Sequence, residues 1–215
     1  MKKINTILFD FDGTIMNTND IIIKSWQHTF LTVEGKERTL SEIVQTFGEP
    51  LHLTMERLLP QIPVDEGVEI YRSFHRDHFH DLIQVFPGVL ETLEELQSSG
   101  YKIGLVTSRL WSSTSIGLDK YDMKKYFSAI VTHDDTDKHK PDPEPVNIAL
   151  SKLDSKAQEA IMVGDTMFDI LCAKNAGTKA ALVGWAMAVS ESEKKGENAP
   201  DYILEKVEDI FHIIA

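Results

Sequence analysis

Ile4-Asn5-Thr6-Ile7-Leu8-Phe9-Asp10-Phe11-Asp12-Gly13-Thr14 is a short apolar run that ends abruptly in two carboxylates two residues apart. Such a run reads as a buried strand. The carboxylates stand where that strand leaves the core. Gly13 frees the backbone to turn sharply, and Thr14 adds a hydroxyl and an amide. Ligands of open parallel sheets bind at the C-terminal ends of the strands. Two uncompensated carboxylates there are costly, and a divalent cation is the simplest remedy. A strand-ending Asp followed by Asp-Gly is also a common turn, so the motif needs companions before it means chemistry.

Similar apolar runs recur at residues 101 to 106, 128 to 132, 160 to 164 and 179 to 183, with helix-like segments between the later ones. The runs are nearly continuous rather than alternating, as in strands covered on both faces. The sequence therefore predicts an α/β fold built on a doubly wound parallel sheet. In residues 88 to 99, Val89, Leu90, Leu93 and Leu96 share one helical face, with Pro87 before them and Gly100 after. Residues 16 to 84 hold no convincing strand but several helical patterns. One covers about 19 to 32, and a second opens with Thr39 and Glu42 spaced as a capping box. Gly48, Pro50, Pro60 and Pro63 punctuate the rest. The expected organisation is a core of residues 1–15 and 85–215, with 16–84 inserted as an all-helical cap domain.

The chain has 215 residues, 42% hydrophobic and 26% charged, which fits a globular protein with a sizeable core. Its 22 basic and 34 acidic residues give a formal charge of -12, a surface that repels nucleic acid and anionic membranes. An anionic ligand then needs a local source of positive charge. Cys172 is the single cysteine, so neither an internal disulfide nor a cysteine-based zinc site is available. The first apolar stretch is too short for a signal-peptide core or a membrane span. A cytoplasmic protein is expected, as a monomer or homodimer.

Three further elements fall at strand ends. Thr107 and Ser108 follow the run at 101 to 106. Lys140 lies in a loop just before a helix starting near Pro143. Asp165 and Asp169, in Gly164-Asp165-Thr166-Met167-Phe168-Asp169, are spaced i and i+4 into a following helix. Each has an ordinary explanation alone: helix capping, solvated lysine, carboxylates favouring a helix dipole. Together they place a carboxylate pair, a hydroxyl, a lysine and a second carboxylate pair at one edge of one sheet.

That conjunction resembles the haloacid dehalogenase superfamily, and in particular its phosphatases with a type 1 helical cap. Asp10-Phe11-Asp12-Gly13-Thr14 matches the first motif, Thr107 the second, Lys140 the third, and Gly164-Asp165 with Asp169 the fourth. The resemblance implies a Rossmann-like core and catalysis by Asp10, Asp12, Thr107 and Lys140. Asp10 would be the phosphate-accepting nucleophile and Asp12 the acid and base. Mg²⁺ would be held by Asp10, Asp165 and the backbone carbonyl of Asp12. Asp169 would orient Lys140 or a metal-bound water. Gly13, Thr14, Gly48, Ser108 and Arg109 would line the substrate. The carboxylate at Asp12 points to a phosphate ester or anhydride, and Ile22, where the related sugar-phosphate mutases place a histidine, argues against a mutase. Ser108, Arg109 and Thr166 depart from the commonest family residues, but each keeps hydrogen-bonding ability.

Within that family the cap stretch from Met16 to His28 and the Phe47-Gly48-Glu49-Pro50-Leu51 turn look most like the pyrophosphatase branch, with phosphoglycolate phosphatases next. The expected substrate is a small phosphorylated molecule, inorganic pyrophosphate first. Phosphoglycolate or a sugar phosphate are the alternatives. Lys24, Arg72 or Arg109 could meet a second anion. His75, His78 and His80, at i, i+3 and i+5, do not share one helical face, so the cluster is not read as a zinc site. Trp26, Phe30 and Trp111 read as core aromatics before substrate contacts.

Overall fold

A computed structural model of the chain describes residues 3 to 214. The strand read from the opening motif is β1, Thr6–Phe9, and all four of its residues are buried. It is followed by β2 (Met16–Asn17), then by helices α1 (Asn19–Glu34), α2 (Leu40–Val44), α3 (Leu51–Leu58) and α4 (Val64–Leu82), and by β3 (Gln84–Val85). From there strands and helices alternate: α5 (Val89–Ser98), β4 (Lys102–Val106), α6 (Trp111–Lys120), β5 (Ala129–Val131), α7 (Glu144–Lys152), β6 (Ala160–Gly164), α8 (Met167–Ala176) and β7 (Lys179–Val183). β8 (Tyr202–Leu204) and α9 (Ile210–Ile214) close the chain.

Six strands form one sheet in the order β5-β4-β1-β6-β7-β8, with every pairing parallel. β1 sits between β4 and β6, with Phe9 paired to Leu105 on one side and to Val163 on the other. The ends of three strands are thereby brought level. Leu8 joins Val106, Val146, Leu150, Met162 and Ile170 in one apolar cluster that includes residues of α7 and α8. Ile7 and Phe9, on the opposite face of the same strand, are also wholly buried. Both faces of the sheet are covered, as the continuous apolar runs predict.

The sheet has one strand more than the sequence predicts, because β8 is only Tyr-Ile-Leu and follows a loop with no periodic signal. The segment 16 to 84 is likewise not purely helical: two-residue strands β2 and β3 pair with each other.

Compactness divides the chain into two units, one ending at Asn17 and resuming at Val85, the other Thr18–Gln84. The second unit is helical. Its α1 ends at Gly35 with φ 71°, whose N–H bonds the Leu31 carbonyl. The capping box of Thr39 and Glu42 starts α2 as read from sequence. Trp26 stacks on Phe30 at 5.4 Å and meets Tyr71 edge-on at 5.1 Å, joining α1 to α4. Both aromatics of α1 are core residues. The histidines of α4 diverge. His75 is buried between Tyr71 and Phe79, exposed His78 stacks on Phe74, and His80 lies against Asp81.

Candidate active site

Asp10 follows β1 directly, and its backbone N–H donates to the Val163 carbonyl at 2.9 Å, so the sheet ladder itself sets where its side chain emerges. Beyond it the chain turns back. Gly13 N–H donates to the Met16 carbonyl, and the Trp185 indole N–H donates to the Gly13 carbonyl, both at 2.9 Å. Gly13 has φ 67°, and a β-carbon there would lie 2.1 Å from Oδ2 of Asp165. Only glycine combines that backbone with that approach. The buried Thr14 hydroxyl has no hydrogen-bond partner among the described residues.

Thr107 directly follows β4, is 4% exposed, and its hydroxyl accepts the Arg109 backbone N–H at 3.2 Å. Ser108 beside it is exposed. Lys140 is buried, and its ammonium donates to Asp10 Oδ1 at 2.7 Å and to Asp169 Oδ1 at 2.6 Å. The other oxygen of Asp169 accepts from both the Thr166 N–H (3.0 Å) and its hydroxyl (2.7 Å). Thr166 and Asp169 thus form the capping box of α8. That Thr-x-x-Asp spacing is visible in the sequence, although the capping box itself is not among the features read there. The box locks one oxygen of Asp169 into the helix start and leaves the other for Lys140. Gly164 permits it, since a β-carbon there would lie 2.2 Å from Cβ of Asp169.

Burial sets the electrostatics. The Asp10 carboxyl is pushed up to about 7 by loss of solvent, with Lys140 pulling it down and Asp169 and Asp12 pushing it further up. Asp165 is raised well above the usual carboxylate range for the same reason, reinforced by Asp169, Asp10 and Asp12. Burial disfavours the Lys140 ammonium, but the carboxylates of Asp10 and Asp169 outweigh that and hold it above its ordinary value. Side-chain oxygens of Asp10, Asp165 and Asp169 all lie within 4.8 Å of one another. Three buried carboxylates facing one buried lysine suit a divalent cation, whose charge would favour ionisation of Asp10 and Asp165.

Arg109, expected to line the substrate, is paired with a carboxylate of the protein itself. Its guanidinium already holds Asp12, with Nε 3.1 Å from Oδ2 and Nη2 2.9 Å from Oδ1. Gly48 (φ 80°), Lys24 and Arg72 belong to the helical unit, and both cations are exposed. Trp111 is 37% exposed rather than core. Cys172 is buried, its thiol donating to the Asp142 carbonyl and pushed up to about 11 by burial, so it is not a nucleophile at neutral pH.

A carboxylate–lysine–carboxylate site at the C-terminal edge of a parallel sheet, at the strand flanked on both sides by crossovers, defines the core of the haloacid dehalogenase-like hydrolases. Residues 7–183 match that family's sequence profile, and the chain belongs to it. Among the relatives it resembles, the pyrophosphatase PpaX of Bacillus thuringiensis is 39% identical over 216 residues, covering 99% of this chain and 97% of that one. The Bacillus anthracis pyrophosphatase PpaX is similar to the same extent. Of solved structures, a haloacid dehalogenase-like family protein from Streptococcus pneumoniae superposes with a TM-score of 0.87 at 25% identity, covering all of both chains. A candidate phosphoglycolate phosphatase from Lactobacillus plantarum superposes with 0.86 at 26% identity, covering 99% of this chain and 100% of that one. No helix among the described residues is long and apolar enough to cross a membrane.

Proposed function

We propose that this hydrolase is a magnesium-dependent phosphatase that cleaves inorganic pyrophosphate through an aspartyl phosphate on Asp10. The observation that carries the chemistry is the shared ammonium of Lys140, held between Asp10 and Asp169 at the ends of β1 and β6. It fixes the nucleophile's carboxylate and keeps a permanent positive charge beside it. The full-length similarity to a pyrophosphatase carries the substrate.

Asp10 attacks phosphorus in line, so one difficult hydrolysis becomes two easier displacements. Asp12, 28% exposed along its side chain, protonates the leaving oxygen and afterwards takes a proton from the attacking water. Lys140 and the Thr107 hydroxyl bind equatorial phosphoryl oxygens as charge develops on them. Asp169, fixed by Thr166, keeps Lys140 in register. Asp10, Asp165 and the Asp12 carbonyl would hold Mg²⁺, whose charge would cancel repulsion between carboxylate and phosphate. In this reading the helical unit serves as a cap that selects small anionic substrates over nucleotides.

The test is phosphate release from pyrophosphate, 2-phosphoglycolate and sugar phosphates, each with Mg²⁺ and with EDTA. Pyrophosphate should give the highest kcat/KM, and EDTA should abolish turnover. The second reading, a phosphoglycolate phosphatase, draws on the Lactobacillus plantarum structure. A higher kcat/KM for phosphoglycolate would select it and leave the phosphatase chemistry intact.

A further inference from the structure

We infer that Arg109 is a latch on Asp12, released when a second anionic group of the substrate takes its guanidinium. The inference rests on the phosphatase reading above, in which Asp12 must reach the leaving oxygen.

The geometry is a planar fork meeting a carboxylate edge-on, with one nitrogen on each oxygen, at 3.1 Å and 2.9 Å. A carboxylate gripped at both oxygens has its plane and direction set by the fork. To turn toward a leaving oxygen, Asp12 must break both bonds.

The fork itself is anchored. Arg109's N–H donates to Thr107, and its carbonyl accepts from the His133 N–H at 3.0 Å. Nη1 lies 3.4 Å from the Ser113 hydroxyl in the first turn of α6, and the guanidinium carbon sits 5.8 Å from the centre of the Phe11 ring. The arginine side chain is 10% exposed and the aspartate 28%. Asp12 is therefore the member freer to move, and Arg109 the fixed one.

The two cations of the site have different duties. Lys140 is enclosed by two buried carboxylates, so nothing can displace its partners cheaply. Arg109 grips one partly exposed carboxylate, and a phosphate or carboxylate on the substrate presents the same edge to the same fork. Exchange of one anion for another leaves the guanidinium paired and sets Asp12 free. A substrate with a neutral tail has nothing to exchange, and Asp12 stays held. Arg109 is in this reading a positioning residue for Asp12 that converts a second negative charge into turnover.

The test compares 2-phosphoglycolate with 2-hydroxyethyl phosphate, which differ in the carboxylate, and includes pyrophosphate, on wild type, Arg109→Gln and Arg109→Lys. Arg109→Gln should lower kcat/KM for both doubly anionic substrates roughly 10- to 100-fold. On 2-hydroxyethyl phosphate its kcat should rise several-fold, because the latch is gone. Arg109→Lys, a charge without a fork, should move the same ratio in the same direction by less, and reports even if the glutamine variant folds poorly. Equal losses on charged and neutral-tailed substrates in the variant that folds would overturn the latch, as would a fall in kcat on 2-hydroxyethyl phosphate. Because the pair of two-carbon esters carries the comparison, a wild type that prefers phosphoglycolate refutes the pyrophosphate reading without touching this one.

Discussion

The ammonium of Lys140 lies 2.7 Å from Oδ1 of Asp10, 130 positions earlier in the chain, and 2.6 Å from Oδ1 of Asp169. All three side chains are buried, so the lysine offsets two carboxylates that solvent cannot reach. Removing one partner of a buried pair costs about 3–5 kcal/mol, because the other is left uncompensated. Lys140→Met should therefore lower the melting temperature at pH 7, and the deficit should shrink at pH 5, where the orphaned carboxylates take up protons. Turnover should fall about 10²- to 10³-fold through loss of phosphoryl-oxygen binding. Unchanged thermal stability at pH 7 would contradict this account of the site.

The raised carboxyls give metal-free protein an unusual pH dependence. Asp10 holds its proton up to about 7 in the fold against an ordinary value of 3.8, and Asp165 is displaced in the same direction. Between those limits the folded state binds more protons than the unfolded state, so stability falls as pH rises. The carboxylates held low by partners, such as Glu34 beside Arg38 and Asp201 beside Lys179, start from ordinary values of 4.5 and 3.8 and so act below the range from pH 5 to pH 7.5. Calorimetry of EDTA-treated protein should show the melting temperature dropping between pH 5 and pH 7.5. Mg²⁺ should add more stability at pH 7.5 than at pH 5, since it binds ionised carboxylates. A larger Mg²⁺ gain at the lower pH would refute the assignment.

Much of this site was legible because strand ends announce themselves. Apolar runs stopping at Asp10, Thr107 and Asp165 place three groups at one sheet edge from the residue pattern alone. Lys140 was legible only through its company, since a loop lysine alone is ordinary. The pairing of Arg109 with Asp12 was not legible. It joins residues 97 apart, and no local period encodes which of several anions a fork will meet. β8 escaped because three residues cannot display a pattern, and its pairing with β7 comes from the sheet edge already present.

Two glycines are held in place by contacts that the site needs. Gly13→Ala places a methyl against the Asp165 carboxylate and forces an L-residue to φ 67°, which costs about 1–2 kcal/mol by itself. Gly100→Ala, at φ 80° with nothing within 4 Å, carries the backbone cost alone and serves as the control. Gly13→Ala should weaken Mg²⁺ binding by titration calorimetry well beyond any effect of Gly100→Ala, which isolates the backbone cost. Gly164→Ala meets the β-carbon of Asp169, which cannot swing away without moving the start of α8. It should destabilise more than either. Equal Mg²⁺ affinity in the Gly13 and Gly100 variants would show that Asp165 does not hold the ion.

Asp10 and Asp12 stand two residues apart but in different surroundings, and the difference predicts separable roles. Asp10 is 7% exposed and tied to Lys140, whereas the Asp12 side chain is 28% exposed and tied to Arg109. Asp10→Asn should abolish any acid-labile phosphoenzyme on every substrate, because a neutral amide does not replace the attacking carboxylate. Asp12→Asn should keep the attack and lose the proton. A leaving group that departs poorly, as from 2-phosphoglycolate, should then slow about 10²- to 10⁴-fold, while 4-nitrophenyl phosphate, whose phenolate needs little protonation, should show only a small part of that loss. Rapid-quench measurement of phosphoenzyme with both substrates separates the two steps. Equal losses on both leaving groups in Asp12→Asn would remove Asp12 from acid catalysis and leave Asp10 as the nucleophile alone.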